Sequence, residues 1–183
     1  MFRLGFKRIL EPVAEYIEQR LPGEVPVPRV VLRPPGALPE LEFLDRCYRC
    51  GNCVDVCPAK AIQATPPGDV ERVGTPFIDP NTAACVVCDD LSCMRSCPSG
   101  ALQLVESPRH IRMGIARVNH SLCVRSRGEN CTLCIDRCPI GADAIELSDG
   151  GEIAVKVDGC VGCGVCQFYC PTYPKAIEID PLQ

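Results

Sequence analysis

Residues 47–58 read CYRCGNCVDVCP: four cysteines within eleven residues, then a proline. The pattern recurs along the chain. The first motif (47–57) holds Cys47, Cys50, Cys53 and Cys57, and the second (85–97) holds Cys85, Cys88, Cys93 and Cys97. The third (123–138) holds Cys123, Cys131, Cys134 and Cys138, and the fourth (160–170) holds Cys160, Cys163, Cys166 and Cys170. Successive motifs begin about 38 residues apart, and together they use all 16 cysteines of the 183-residue chain. Pro58, Pro98, Pro139 and Pro171 each follow a fourth cysteine. Aromatic residues make up only 5% and tryptophan is absent. An apolar core of that composition is thin, so something besides apolar burial must staple the fold.

Motifs one and four keep the spacing C-x2-C-x2-C-x3-C-P, the ligand run of a [4Fe–4S] cube. Each iron of a cube needs one thiolate. Three closely spaced cysteines let a looping backbone wrap one cube, and the fourth points to the cube of a partner motif. That fourth cysteine is expected at the start of a short helix, with the proline fixing φ there. Gly51, Gly162 and Gly164 fall between ligands, where the chain must turn sharply and offer backbone N–H groups to the sulfurs. Motif two stretches its middle gap and motif three its first gap, yet neither loses a ligand. Zinc sites also use C-x2-C pairs, but not this four-cysteine run with its proline. Disulfides are out of place in a reducing compartment. The sequence therefore predicts four [4Fe–4S] clusters and no other cofactor. With four thiolates per cube, His110 and His120 are read as surface residues. Tyr48, Phe168, Tyr169 and Tyr173 are read as packing that keeps solvent from the cubes, and Arg125 and Arg127 as a solvated loop.

Between the motifs lie short alternating stretches bounded by Gly, Pro and Asp: KAIQA, TPFID, ALQLV, GIARV, AIEL, GEIAVKVD and AIEID. They read as strands. The unit is strand, cluster loop, short helix, strand. The expected fold is α+β: two bacterial-ferredoxin-like pseudo-twofold units, each with two cubes, preceded by an N-terminal amphipathic helix and an extended arm. Residues 1–40 form the helix and Pro-rich arm, and 41–183 the four-cluster domain. The two regular motifs are the outer ones and the two stretched motifs the inner ones. That symmetry favours nesting, motif one with four and two with three, over sequential pairing.

The net charge of −4 gives no basic footprint for nucleic acid. No apolar run is long enough for a membrane-spanning helix. Residues 2–21 place apolar side chains at helical spacing, from Phe2 and Phe6 through Ile9, Leu10, Val13, Ile17 and Leu21. Such a helix on a Pro-rich arm has three uses: docking on a partner or another copy, folding back on its own domain, or peripheral attachment to a membrane surface. The segment has neither a secretory pattern nor an Arg-Arg pair, so a cytoplasmic location is expected.

The chain resembles the four-cluster ferredoxin-type proteins encoded with periplasmic nitrate reductase and with methylamine dehydrogenase. The residues that carry the likeness are RPPGALPE (33–40), GTPF (74–77), CPSGAL (97–102), RMG (112–114) and the spacing of motif three. The spacing of motif two is also similar to that of iron–sulfur subunits of molybdenum oxidoreductases, which adds weight to nesting. The resemblance implies a non-catalytic electron-transfer subunit. Together with the cytoplasmic reading of the head, it points to a larger oxidoreductase as partner, a molybdenum- or tungsten-dependent enzyme such as an aldehyde oxidoreductase. The alternative is a partner of a membrane quinol dehydrogenase that feeds a nitrate-reductase or methylamine-type pathway.

Overall fold

A computed structural model of the chain describes residues 31–182. The amphipathic helix expected over residues 2–21, and the first part of the arm, lie outside the described residues. The rest of the arm is not a free linker. Leu32 bridges Ile78, Ala37 bridges Leu102, and Pro34 is fully buried. Residues 32–39 thus belong to the first half of the fold, and the boundary expected at residue 40 moves toward the N-terminus.

Helix α1 (Glu40–Arg46) follows this segment. Its first turn carries Glu40 and Glu42 and its last turn Arg46, each sign at the favourable end of the helix dipole. Phe43 turns inward and is fully buried. Arg33 spreads over its ring, 4.6 Å from the centroid. The guanidinium reaches Glu40 with two hydrogen bonds of 2.8 and 2.7 Å. It also donates to the Thr75 hydroxyl at 2.9 Å and the Pro76 carbonyl at 2.8 Å. One buried side chain therefore ties the arm, α1 and the strand after Thr75.

The alternating stretches form the strands they predict. β1 (Ile62–Ala64) and β2 (Pro76–Ile78) make an antiparallel hairpin, with Ile62 opposite Ile78. In the second half β3 (Gly114–Val118) pairs with β6 (Ile177–Pro181), the first strand against the last. β4 (Ile145–Leu147) and β5 (Ile153–Val155) form the hairpin between them. Only ALQLV falls short, contributing the single bridge at Leu102. Two-stranded ribbons this short are marginal alone. Their inner residues feed two apolar clusters, one around Phe43, Ile62, Ile78 and Ile111, the other around Ala116, Ile145, Ile153 and Ile177.

Four helical turns sit inside the cysteine motifs: α2 (Asn52–Asp55), α3 (Ser92–Arg95), α4 (Leu133–Asp136) and α5 (Val165–Tyr169). They correct one expectation. The turn precedes the fourth cysteine and carries the third, so the fourth ends it rather than starting it. In motif four the proline is the cause. A residue before proline is pushed out of the helical region, and Cys170, before Pro171, has φ −63° and ψ 124°. The chain leaves the turn there and carries the fourth thiol away from its own loop.

Candidate metal centres

Three ligand sets each line one cavity. Cys47, Cys50 and Cys53 of motif one line the first together with Cys97 of motif two. Cys123, Cys131 and Cys134 of motif three line another with Cys170 of motif four. Cys160, Cys163 and Cys166 of motif four line the third with Cys138 of motif three. The remaining cysteines make the fourth set. Burial pushes Cys85 and Cys93 up to about 12 and raises Cys88, and the charge of Cys57 adds to the rise in all three.

Each set takes three cysteines from one motif and the fourth from its neighbour in sequence. Cross-ligation is as the spacing implies, but motif one pairs with two and three with four. The nested pairing is not the one the chain adopts. The hairpins explain it. β1–β2 spans the gap between motifs one and two, and β4–β5 the gap between three and four, so each hairpin folds its flanking motifs together. α2 packs on α3, and α4 on α5.

All 16 cysteines are free thiols. Four thiols around a cavity, with no imidazole among them, are the donor set of a [4Fe–4S] cube, which takes one thiolate on each iron. His110 and His120 are exposed, and neither lines the three cavities. Burial also lifts Cys53 and Cys163 to about 12 and Cys134 to about 11, with neighbouring thiols adding to each rise. Protons held this firmly are given up to a metal, so loading and folding are coupled.

Backbone N–H groups reach several sulfurs. Ala61 donates to Cys57 at 3.3 Å, Leu102 to Cys97 at 3.4 Å and Ala116 to Cys160 at 3.5 Å. Val87, between Cys85 and Cys88, holds φ at 55°, rare for a β-branched residue. Leu91, also left-handed, stands before α3 where glycines stand before α2 and α5.

Some contributors were hidden from sequence reasoning. The Ser99 hydroxyl lies 3.5 Å from the Cys97 sulfur, and that of Thr172 3.2 Å from Cys170. Burial pushes both thiols up, but these hydroxyls and nearby N–H groups outweigh it and hold both below the ordinary thiol value. The signal was present as C-P-S and C-P-T in motifs two and four, against C-P-A and C-P-I in the others. Arg125 is not a solvated loop residue. It donates to the carbonyls of Gly151 at 2.6 Å and Cys131 at 3.1 Å, pinning the long loop of motif three to the β4–β5 hairpin. The aromatic side chains do less than expected. Tyr173 is 99% exposed and Tyr48 72%, while Phe168 and Tyr169 meet edge to face at 5.1 Å, half-exposed. Tyr48 borders the cavity of Cys47, Cys50, Cys53 and Cys97 yet leaves most of its ring to solvent.

Residues 46–101 and 84–142 match the family model of the 4Fe-4S dicluster domain. The methylamine utilization ferredoxin-type protein MauM of Paracoccus denitrificans is 40% identical, over 85% of this chain and 74% of that protein. MauM of Methylobacillus flagellatus is 37% identical, over 99% and 84%. The ferredoxin-type protein NapG of Escherichia coli is 36% identical, over 84% and 71%. A chain of the formate dehydrogenase–heterodisulfide reductase–formylmethanofuran dehydrogenase complex of Methanospirillum hungatei is 24% identical over 76% of this chain and 50% of that one, with a TM-score of 0.31. That last likeness is too low to carry a function across.

Proposed function

This chain belongs to the ferredoxin-type iron–sulfur proteins of the MauM and NapG kind, and from that premise we propose that it is a non-catalytic electron-transfer subunit. It carries four [4Fe–4S] clusters, two in each pseudo-twofold ferredoxin unit. Its sixteen cysteines supply every ligand, which leaves no iron open to a substrate. When bound, each cube takes up and gives up one electron. The protein's part is to hold the thiols, exclude water and direct hydrogen bonds at the sulfurs.

The partner we propose is a membrane quinol-oxidising protein that feeds a methylamine- or nitrate-type pathway. The observation that carries this is the identity with MauM and NapG across most of the chain. It favours this partner over the molybdenum- or tungsten-dependent enzyme expected from the sequence. Anaerobic purification from the native organism, with metal analysis and cell fractionation, separates the two. A quinol-reducible complex in the membrane fraction supports the proposal. Stoichiometric molybdenum or tungsten with a large cytoplasmic subunit overturns it. Self-association or surface attachment through residues 1–30 is tested in the same preparation by deleting them and repeating the sizing and fractionation.

A further inference from the structure

The two halves of the molecule meet through cysteine ligands. The backbone N–H of Cys85 donates to the carbonyl of Cys163 at 3.0 Å. Cys85 belongs to the motif-two set and Cys163 to the motif-four set. Around this contact motif four straddles both halves. Val161, Cys163 and Val165 are buried in the apolar cluster of the first half, whereas Cys160, Cys166 and Cys170 are buried in that of the second. The Gln167 amide donates across to the Asn81 side chain at 3.1 Å and accepts from the Ile179 N–H at 2.9 Å. Gly164 makes the approach tight. A Cβ there would lie 2.8 Å from the Pro80 ring. Gly162 is as confined, with Gly114 N 2.2 Å from where its Cβ would be.

We propose that the Cys85–Cys163 peptide contact is the electronic junction between the halves, with Gly164 against Pro80 as its positioning residue. The neighbour order of the ligand sets is then one, two, four, three, and not the order of the motifs in the chain. Within each half the packing of α2 on α3 and of α4 on α5 sets one ligand set beside the other. The sets of motifs one and three become the two ends. The only exposed thiol among the sixteen, Cys50, lies in an end set.

The inference rests on four cubes being bound, and iron and sulfide counts on the purified holoprotein test that separately. The order itself is read by electron paramagnetic resonance of dithionite-reduced holoprotein, in which neighbouring reduced clusters broaden one another. Cys88→Ser perturbs the motif-two set and is expected to leave the motif-one signal narrow and uncoupled. Cys50→Ser perturbs an end set and is expected to leave the motif-two signal still broadened by motif four. A narrow motif-two signal in Cys50→Ser, or a coupled motif-one signal in Cys88→Ser, overturns the order. Two glycine variants decide the matter if ligand variants do not fold. Gly164→Ala is expected to keep its iron while the coupling between halves falls at least twofold. Gly128→Ala is the control: it has a similar φ, 85° against 83°, but nothing within 4 Å of where the Cβ would go, and it lines none of the three cavities. Equal coupling in the two glycine variants overturns the role of the contact.

Discussion

Arg33→Met tests whether the arm is part of the cluster-bearing fold. Methionine keeps much of the side-chain volume and the contact with Phe43 but removes all four hydrogen bonds. Glu40 loses its two-point partner and keeps only Arg72, 2.9 Å away. Removing one member of a buried pair costs about 3–5 kcal/mol. The remaining arginine places this site at the low end, about 3 kcal/mol. Cluster proteins unfold irreversibly as their clusters are lost, so the useful quantity is a rate. If about half the cost appears in the unfolding barrier, cluster loss accelerates roughly tenfold. The assay is anaerobic bleaching of the visible cluster absorbance at a fixed urea concentration. The double variant Arg33→Met/Glu40→Gln is expected to bleach more slowly than the product of the two single effects requires, because the pair is coupled. Bleaching of Arg33→Met within twofold of the parent, with additive behaviour in the double variant, refutes the reasoning.

Glu40 also sets a pH dependence. Burial raises its carboxyl, but hydrogen bonds from Arg33 and Arg72 outweigh that and hold it below its ordinary value of 4.5. Its contribution is complete above 4.5 and is lost as pH falls through the lower folded value. The bleaching rates of the parent and Glu40→Gln are therefore expected to converge on acidification and to differ most above that pH. Cys57→Ser is expected to perturb the cluster held by Cys85, Cys88 and Cys93, and a defect confined to the set of Cys160, Cys163 and Cys166 would restore nesting. Ser99→Ala removes one hydrogen bond to a ligand sulfur. At about 1 kcal/mol per bond, redox titration is expected to show one of the four clusters falling by roughly 40 mV. Gly36→Ala is expected to abolish cluster retention, because its Cβ would fall 2.1 Å from the Gln103 carbonyl oxygen, which the chain cannot relieve cheaply.

What could be read from the sequence follows from where its information is local. The cysteine groups were legible because C-x3-C-P is a local constraint. So were β1 to β6, because each alternates over a few residues between turn formers. The location of the helical turn was misread, although the rule was local. Proline acts on the residue before it as well as on its own φ, and at Cys170 the first effect decides the geometry. Arg33 and Arg125 escaped because their partners lie up to 43 residues away for the one and 26 for the other. Nothing in RPPG or VRSRG distinguishes a staple from a solvated arginine.

Pairing failed for a different reason. Nested and sequential arrangements satisfy cross-ligation equally, so ligand spacing cannot choose between them. The symmetry of regular and stretched motifs appeared to choose, but an insertion inside a loop changes only the length of that loop. It does not change which strands are adjacent. The discriminating information sits between the motifs. TPFID lies within reach of KAIQA, and GEIAVKVD within reach of AIEL, so each hairpin closes locally before a nested arrangement can form its long-range contacts. Closure of β1–β2 then leaves Cys57 facing motif two, and closure of β4–β5 leaves Cys138 facing motif four. On this argument residues 31–106 set the pairing of the first two motifs, while Ile111, Val161 and Val165 from outside them complete the apolar cluster. A fragment of residues 31–106, reconstituted anaerobically with iron and sulfide together with residues 107–183, is expected to retain two clusters, and Cys57→Ser in it to perturb only those two. A Cys57→Ser defect in the clusters of residues 107–183 would mean that local closure does not set the pairing.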